Sequence, residues 1–189
     1  MKVGVAGLNF KDLLSLGNDL GTNVLYVTEE KPKDFRATEA REIKVFYPRV
    51  VDEECIRCAS CFAACLDRAL VWTPHGGPRA IPQLCSGCKA CFYACQGVTG
   101  AIKEDLQDGG TLYRSENVYV LVTTYQKMST VFNMVIKDFD DVIFSVPADK
   151  ANLLEHADKA YCLGRCEWLP YPPTSLNELK MSIKSVFRS

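Results

Sequence analysis

The 189-residue sequence predicts an α/β fold, a mainly parallel sheet with flanking helices, carrying a small inserted α+β domain. Three observations lead there. Strand-length apolar runs alternate with helix-period segments on both sides of the chain's middle. A dense, duplicated set of cysteines interrupts that alternation across residues 50–103. The chain then resumes its alternation and closes on an amphipathic helix with a clear start signal. The expected organisation is a discontinuous α/β scaffold, 1–49 and 104–189, around an insert at 50–103.

Met1–Ala6 (M-K-V-G-V-A) reads as a first strand, and Lys11–Leu20 as a helix with Leu13, Leu16 and Leu20 at helical spacing. Gly21 supplies a stop, and Asn23–Thr28 is a second apolar strand. Glu29–Arg41, charged and broken by Pro32, is a connector to Ile43–Tyr47. Beyond the insert, Gln107–Gly110 is expected to be a loop, Val118–Thr123 a buried strand and Met128–Ile136 a helix. Asp141–Val146 is a further buried strand stopped by Pro147, followed by helical Ala151–His156 and a short strand at Ala160–Leu163. Pro172-Pro173 breaks the chain, and Ser175 with Glu178 forms a capping box. Leu176, Leu179, Ile183 and Val186 then make one apolar stripe.

Apolar residues are 48% and charged residues 24% of the chain, the composition of a folded domain rather than a disordered one. With 22 basic and 23 acidic residues and no basic tract, nothing points to nucleic acid. The longest apolar runs are strand-length, so no membrane span is expected. Met1 to Phe10 has no apolar core region and no cleavage site, so no export signal is expected and a cytoplasmic location follows.

Ten cysteines are the outlier, and eight of them fall in two matching runs. Cys55, Cys58, Cys61 and Cys65 form C-x2-C-x2-C-x3-C, and Cys85, Cys88, Cys91 and Cys95 repeat that spacing 30 residues later. Ala69-Leu70 after the first run answers Ala101-Ile102 after the second, so the duplicated unit extends past the cysteines. Metal ligation in a reducing cytosol fits this pattern better than a disulfide framework. Zinc is the alternative metal, because C-x2-C pairs also build zinc ribbons.

The two runs resemble those of bacterial-type two-cluster ferredoxins. That resemblance implies two [4Fe–4S] clusters, with the fourth cysteine of each run ligating the other cluster. Carried over, cluster one takes Cys55, Cys58, Cys61 and Cys95, and cluster two takes Cys85, Cys88, Cys91 and Cys65. The family run usually ends Cys-Pro, whereas Leu66 and Gln96 follow here. Phe62, Phe92 and Tyr93 are expected to shield the clusters, and Trp72 and Trp168 to be core or interface residues.

The surrounding scaffold resembles MinD/ParA-like ATPases that carry a ferredoxin domain inserted after their second strand. The similar residues are Met1–Gly7, Val24–Thr28 with Glu29-Glu30-Lys31-Pro32, and Phe139–Ile143 with Pro147. Ala157–Tyr161 followed by Ser175–Leu179 continues the resemblance. Such ATPases need G-x-x-x-x-G-K-S/T after the first strand. Here the chain reads Gly4-Val5-Ala6-Gly7-Leu8-Asn9-Phe10-Lys11-Asp12, without the glycine-rich loop, and Asp12 would repel phosphate. ATP hydrolysis is therefore expected to be lost from a degenerate, truncated scaffold.

Cys162 and Cys166 remain, as C-x3-C near a strand end with Gly164-Arg165 between. Either Cys162 is a small core residue and Cys166 an incidental thiol, or both form a metal or redox site. A homodimer could bring four such sulfurs to a third, bridging cluster. His75 reads as an exposed turn residue and His156 as a helix C-terminal residue. The expected function is an electron-transfer protein or subunit of an oxidoreductase complex, relaying single electrons to a partner redox enzyme without a catalytic centre of its own. The alternative is a non-hydrolysing scaffold for metallocentre assembly or redox sensing through Cys162 and Cys166.

Overall fold

In the computed structural model, residues 1–164, 166 and 175–189 are described. The elements run β1 (Lys2–Ala6), α1 (Phe10–Leu20), β2 (Asn23–Thr28), β3 (Glu39–Val50), α2 (Ser60–Ala64), β4 (Leu70–Trp72) and β5 (Pro78–Ala80). They continue α3 (Ala90–Gln96), β6 (Ile102–Ser115), β7 (Val118–Val122), α4 (Met128–Ile136), β8 (Val142–Val146), β9 (Lys159–Cys162) and α5 (Leu176–Arg188). Short 3-10 turns lie at Asp52–Glu54, Tyr125–Lys127 and Ala148–His156. Among the expected features, Arg165, Trp168 and Pro172-Pro173 lie outside the described residues.

The fold is α/β. Seven strands form one mixed sheet in the order β3-β6-β7-β2-β8-β1-β9, and β4 pairs with β5 in a separate antiparallel hairpin. β1 lies parallel between β8 and β9, while β2 lies parallel between β7 and β8. β6 runs antiparallel to β7 across the two-residue turn Glu116-Asn117. Central parallel strands are covered on both faces and so carry continuous apolar runs. β8 (V-I-F-S-V) accordingly is buried at every position.

By contact the chain divides into two compact units. The first comprises Met1–Arg41, Gly110–Thr123 and Phe132–Ser189. The second comprises Glu42–Gly109 and Thr124–Val131. In the first, Leu13 and Leu16 of α1 and Leu179 and Ile183 of α5 pack with Val3, Val5 and Ile143 of the sheet. Asn9 caps α1, accepting the Asp12 N–H at 2.9 Å, and Gly21 ends it at φ 61°. The capping box at the start of α5 is formed on both sides, Ser175 to Glu178 and back.

Two elements differ from expectation. Gln107–Gly110 is not a loop, because β6 runs unbroken through it. Its glycines serve close backbone approach: a Cβ on Gly110 would run into the Val122 carbonyl oxygen, and one on Gly109 would stand 2.7 Å from Val45. The helical segment ending at His156 is a 3-10 stretch that starts earlier than expected, at Ala148, and is kinked at Lys150. β3 also begins earlier than Ile43, inside the charged connector.

Candidate metal centre

The two cysteine runs sit in the second unit on duplicated backbone. Left-handed conformations are uncommon for residues other than glycine. Here they occur two and four residues after the first cysteine of each run. Arg57 (φ 56°) and Ala59 (φ 64°) hold these places in the first run, and Gly87 (φ 78°) and Lys89 (φ 67°) in the second. Left-handed residues in a tight turn can aim backbone N–H groups into a concavity. The Arg57 N–H accordingly lies 3.4 Å from Cys55 Sγ, and the Gly87 backbone bonds Cys85. The short helices α2 and α3 follow at once, each entered from its left-handed residue. A matched pair of backbone bonds closes the halves: Ile81 N–H to Ala69 O at 2.7 Å, and Val51 N–H to Ala101 O at 2.9 Å.

The eight sulfurs of these runs partition between two cavities. The first, about 340 Å³ of empty space with its open mouth included, is lined by Cys55, Cys58, Cys61 and Cys95. The second, about 320 Å³ on the same measure, is lined by Cys65, Cys85, Cys88 and Cys91. Each therefore takes three cysteines from one run and the fourth from the other. Their remaining walls are mainly apolar, with Val50, Trp72 and Ile102 at the first and Phe46, Leu70 and Ala80 at the second. Cys61, Cys91 and Cys95 are buried, while Cys58 and Cys88 are exposed.

Burial raises the pKa of Cys91, Cys61 and Cys85. Cys91 is pushed up to about 12, first by desolvation and then by the neighbouring Cys85 and Cys88. Cys58 is lowered, chiefly by its hydrogen bond with the Ser60 side chain. Buried thiols with raised pKa values give up their protons to a thiophilic metal rather than to water, so loading must release protons.

Aromatic groups surround both cavities. The Phe62 and Trp72 rings stack at 4.5 Å, and the Arg57 guanidinium lies 4.3 Å from the Trp72 ring centroid. Trp72 is thus a partly exposed wall of the first cavity. Phe92 meets Phe46 edge-on at 5.9 Å, while Tyr93 stands largely in solvent. Asp52 fastens the approach to the first run by a two-point pair with Arg79, at 3.0 and 2.7 Å, and by the Gly77 N–H at 2.9 Å. The Arg79 side chain, then that N–H, holds the Asp52 carboxyl down to about 2.

Among the described residues, no three His, Cys, Asp or Glu side chains form a group that could hold a metal ion. A single tetrahedral zinc needs thiolate sulfurs about 3.8 Å apart, given its bond length. Ligands of a cubane each bind a different iron and stand farther apart, round a cavity rather than a point. Each cavity brings four cysteines to mainly apolar walls, with backbone N–H groups bonding Cys55, Cys65 and Cys85.

The first unit carries the other sequence candidates except His75, which belongs to the second. In the loop between β1 and α1, Leu8 is 3% exposed and belongs to the core, and its carbonyl accepts the Ser145 hydroxyl at 2.6 Å. Asp12 in the first turn of α1 receives Asn9 Nδ2 at 2.8 Å, with Lys180 Nζ 3.7 Å away. Cys162 and Cys166 are joined in a disulfide with Cα atoms 6.2 Å apart, and in that state neither sulfur is a free thiolate. His75 is exposed in its turn, and the His156 ring lies 5.8 Å from that of Phe132.

Several contributors escaped sequence reasoning. Ser60, Thr99 and Gln107 bond cysteine sulfurs, and only Ser60, placed inside the first run, had a position that could have pointed to it. Arg57, Ala59 and Lys89 give no sign of their left-handed backbone; Gly87 alone could have pointed to it. Among the described residues no helix is long and apolar enough to cross a membrane. Comparison with known proteins returns no match, whether to a family model, a curated protein or a solved structure.

Proposed function

We propose that this chain is an iron–sulfur electron-transfer protein or subunit, with a ferredoxin-like insert in a degenerate MinD/ParA-like scaffold. The observation that carries the proposal is the sorting of eight cysteines into two cavities, three from one run and one from the other in each. Cys55, Cys58, Cys61 and Cys95 would hold one [4Fe–4S] cluster, and Cys85, Cys88, Cys91 and Cys65 the other. When bound, such a cluster supplies one-electron chemistry without a change in covalent structure at the protein. The chain's own residues supply the thiolates, the N–H groups that bond them and the apolar walls that limit water. The partner is a redox enzyme or the subunits of an electron-transfer complex.

Nucleotide hydrolysis has no support in the loop after β1. A phosphate cradle needs open glycine amides and a lysine. Here Leu8 is packed into the core and the Asp12 carboxylate occupies the first turn of α1. A second reading, redox sensing or metallocentre assembly, draws on the Cys162–Cys166 disulfide. A third cluster bridging a homodimer through these residues would first require its reduction.

Anaerobic dithionite titration tests the proposal. Reversible bleaching of a broad visible absorption, with close to two electrons taken up per chain, is expected. Protein that carries zinc and takes up no electrons would refute it.

A further inference from the structure

The duplicated halves bind the sulfurs of their two cavities differently, and two hydroxyl contacts fall at the first cavity. Ser60 follows the second cysteine of the first run by two residues, and its Oγ lies 3.4 Å from Cys58 Sγ. The corresponding position of the second run is Ala90, which has no hydroxyl. Thr99 has no counterpart either. The stretch from the last cysteine to the matching alanine runs Cys65–Ala69 in one half and Cys95–Ala101 in the other, two residues longer. Thr99 lies in that longer stretch, with its Oγ1 3.8 Å from Cys95 Sγ. In the shorter half, the Ala69 backbone N–H meets Cys65 Sγ at 3.3 Å. Cys58 and Cys95 both line the first cavity, although they come from different runs.

A ligating sulfur carries no proton, so each hydroxyl must donate to it. Thr99 Oγ1 also accepts the Ala101 N–H at 3.3 Å, which leaves its own proton for the sulfur. Donors to cluster sulfurs stabilise the more negative, reduced form and raise the potential. The second cavity has its own side-chain groups. Gln107 bonds Cys85, Asp67 accepts from Ser86 at 2.5 Å, and the Lys89 charge is paired with Glu104 at 2.9 Å. None of these touches Cys58 or Cys95.

We infer that the Ser60 and Thr99 hydroxyls selectively raise the reduction potential of the cluster held by Cys55, Cys58, Cys61 and Cys95. The inference rests on reading the two cavities as cluster sites, and it adds what makes the sites unequal. Ser60 and Thr99 act here as tuning residues through the ligands, not as ligands.

The test is an anaerobic, mediator-poised titration of the intact chain followed by EPR, with iron counted in every variant. In Ser60→Ala/Thr99→Val, one of the two midpoints is expected to fall. At fixed poise its reduced-to-oxidised ratio should drop about tenfold, equivalent to about 59 mV for one electron. The other midpoint stays in place. Thr99→Ser keeps the hydroxyl and should leave both midpoints unmoved. Ala90→Ser, which places a hydroxyl in the duplicate position, should raise the other midpoint. Full iron with unmoved midpoints, or with both moved equally, overturns the inference alone. A wild-type chain that binds no iron overturns the cluster reading and the inference with it.

Discussion

Cys95 belongs to the second run by sequence and to the first cavity by structure, and that conflict can be read out by counting iron. Cys95 lines one cavity with Cys55, Cys58 and Cys61, while Cys88 lines the other. Each residue is replaced by alanine, singly and in pairs. Removing two ligands of one site destroys that site and spares the other, whereas removing one from each damages both; the effects are non-additive within a site. A chain with two intact cubanes holds about eight irons. Under crossed ligation Cys58→Ala/Cys95→Ala therefore retains about four irons, with the EPR signal of one undamaged [4Fe–4S] cluster. Cys88→Ala/Cys95→Ala damages both sites and retains no undamaged cluster signal. Ligation by each run of its own cluster reverses the two outcomes. Far-UV circular dichroism on each variant separates loss of metal from loss of fold. An undamaged cluster surviving in Cys88→Ala/Cys95→Ala, and absent from Cys58→Ala/Cys95→Ala, would refute the crossing.

Three further outcomes are expected. Leu179 is fully buried between α5 and the sheet, so Leu179→Ala should cost about 2–5 kcal/mol in denaturant unfolding; a cost below about 1 kcal/mol would contradict the packing described. The Asp52 carboxyl is held to about 2 against an ordinary 3.8, so its contribution to stability is present above pH 3.8 and is lost as pH falls through about 2. Arg79→Ala should return the Asp52 carbon-13 titration toward the ordinary value, and an unmoved midpoint would deny the pairing. Under denaturing, non-reducing conditions Cys162 and Cys166 should resist alkylation and become reactive after a dithiol reductant; labelling of both before reduction would remove the disulfide.

The two cysteine runs were legible because their spacing repeats in the sequence, and so were the buried strands, where parallel pairing imposes apolar runs. β6 was not. Gln107-Asp108-Gly109-Gly110 has the composition of a turn, and only the proximity of Val45 and the Val122 carbonyl shows why glycines stand inside a strand. The kink at Lys150 likewise has no local sequence signal. At the site, the partition of sulfurs was available only through a resemblance, because spacing alone does not say where the fourth cysteine of a run points. The left-handed residues Arg57, Ala59 and Lys89 are ordinary in sequence, and tertiary context imposes their backbone. The C-x3-C spacing of Cys162 and Cys166 is compatible with metal, disulfide or neither, so their pairing required the fold.

The most direct measurement is a count of iron and acid-labile sulfide on anaerobically purified protein, with zinc measured in parallel and EPR recorded after reduction. Two [4Fe–4S] clusters require about eight irons and eight sulfides per chain, with two interacting S = ½ signals. About ten irons in a dimeric sample would add a third, shared cluster. Few irons, no labile sulfide and stoichiometric zinc would contradict the account at its centre.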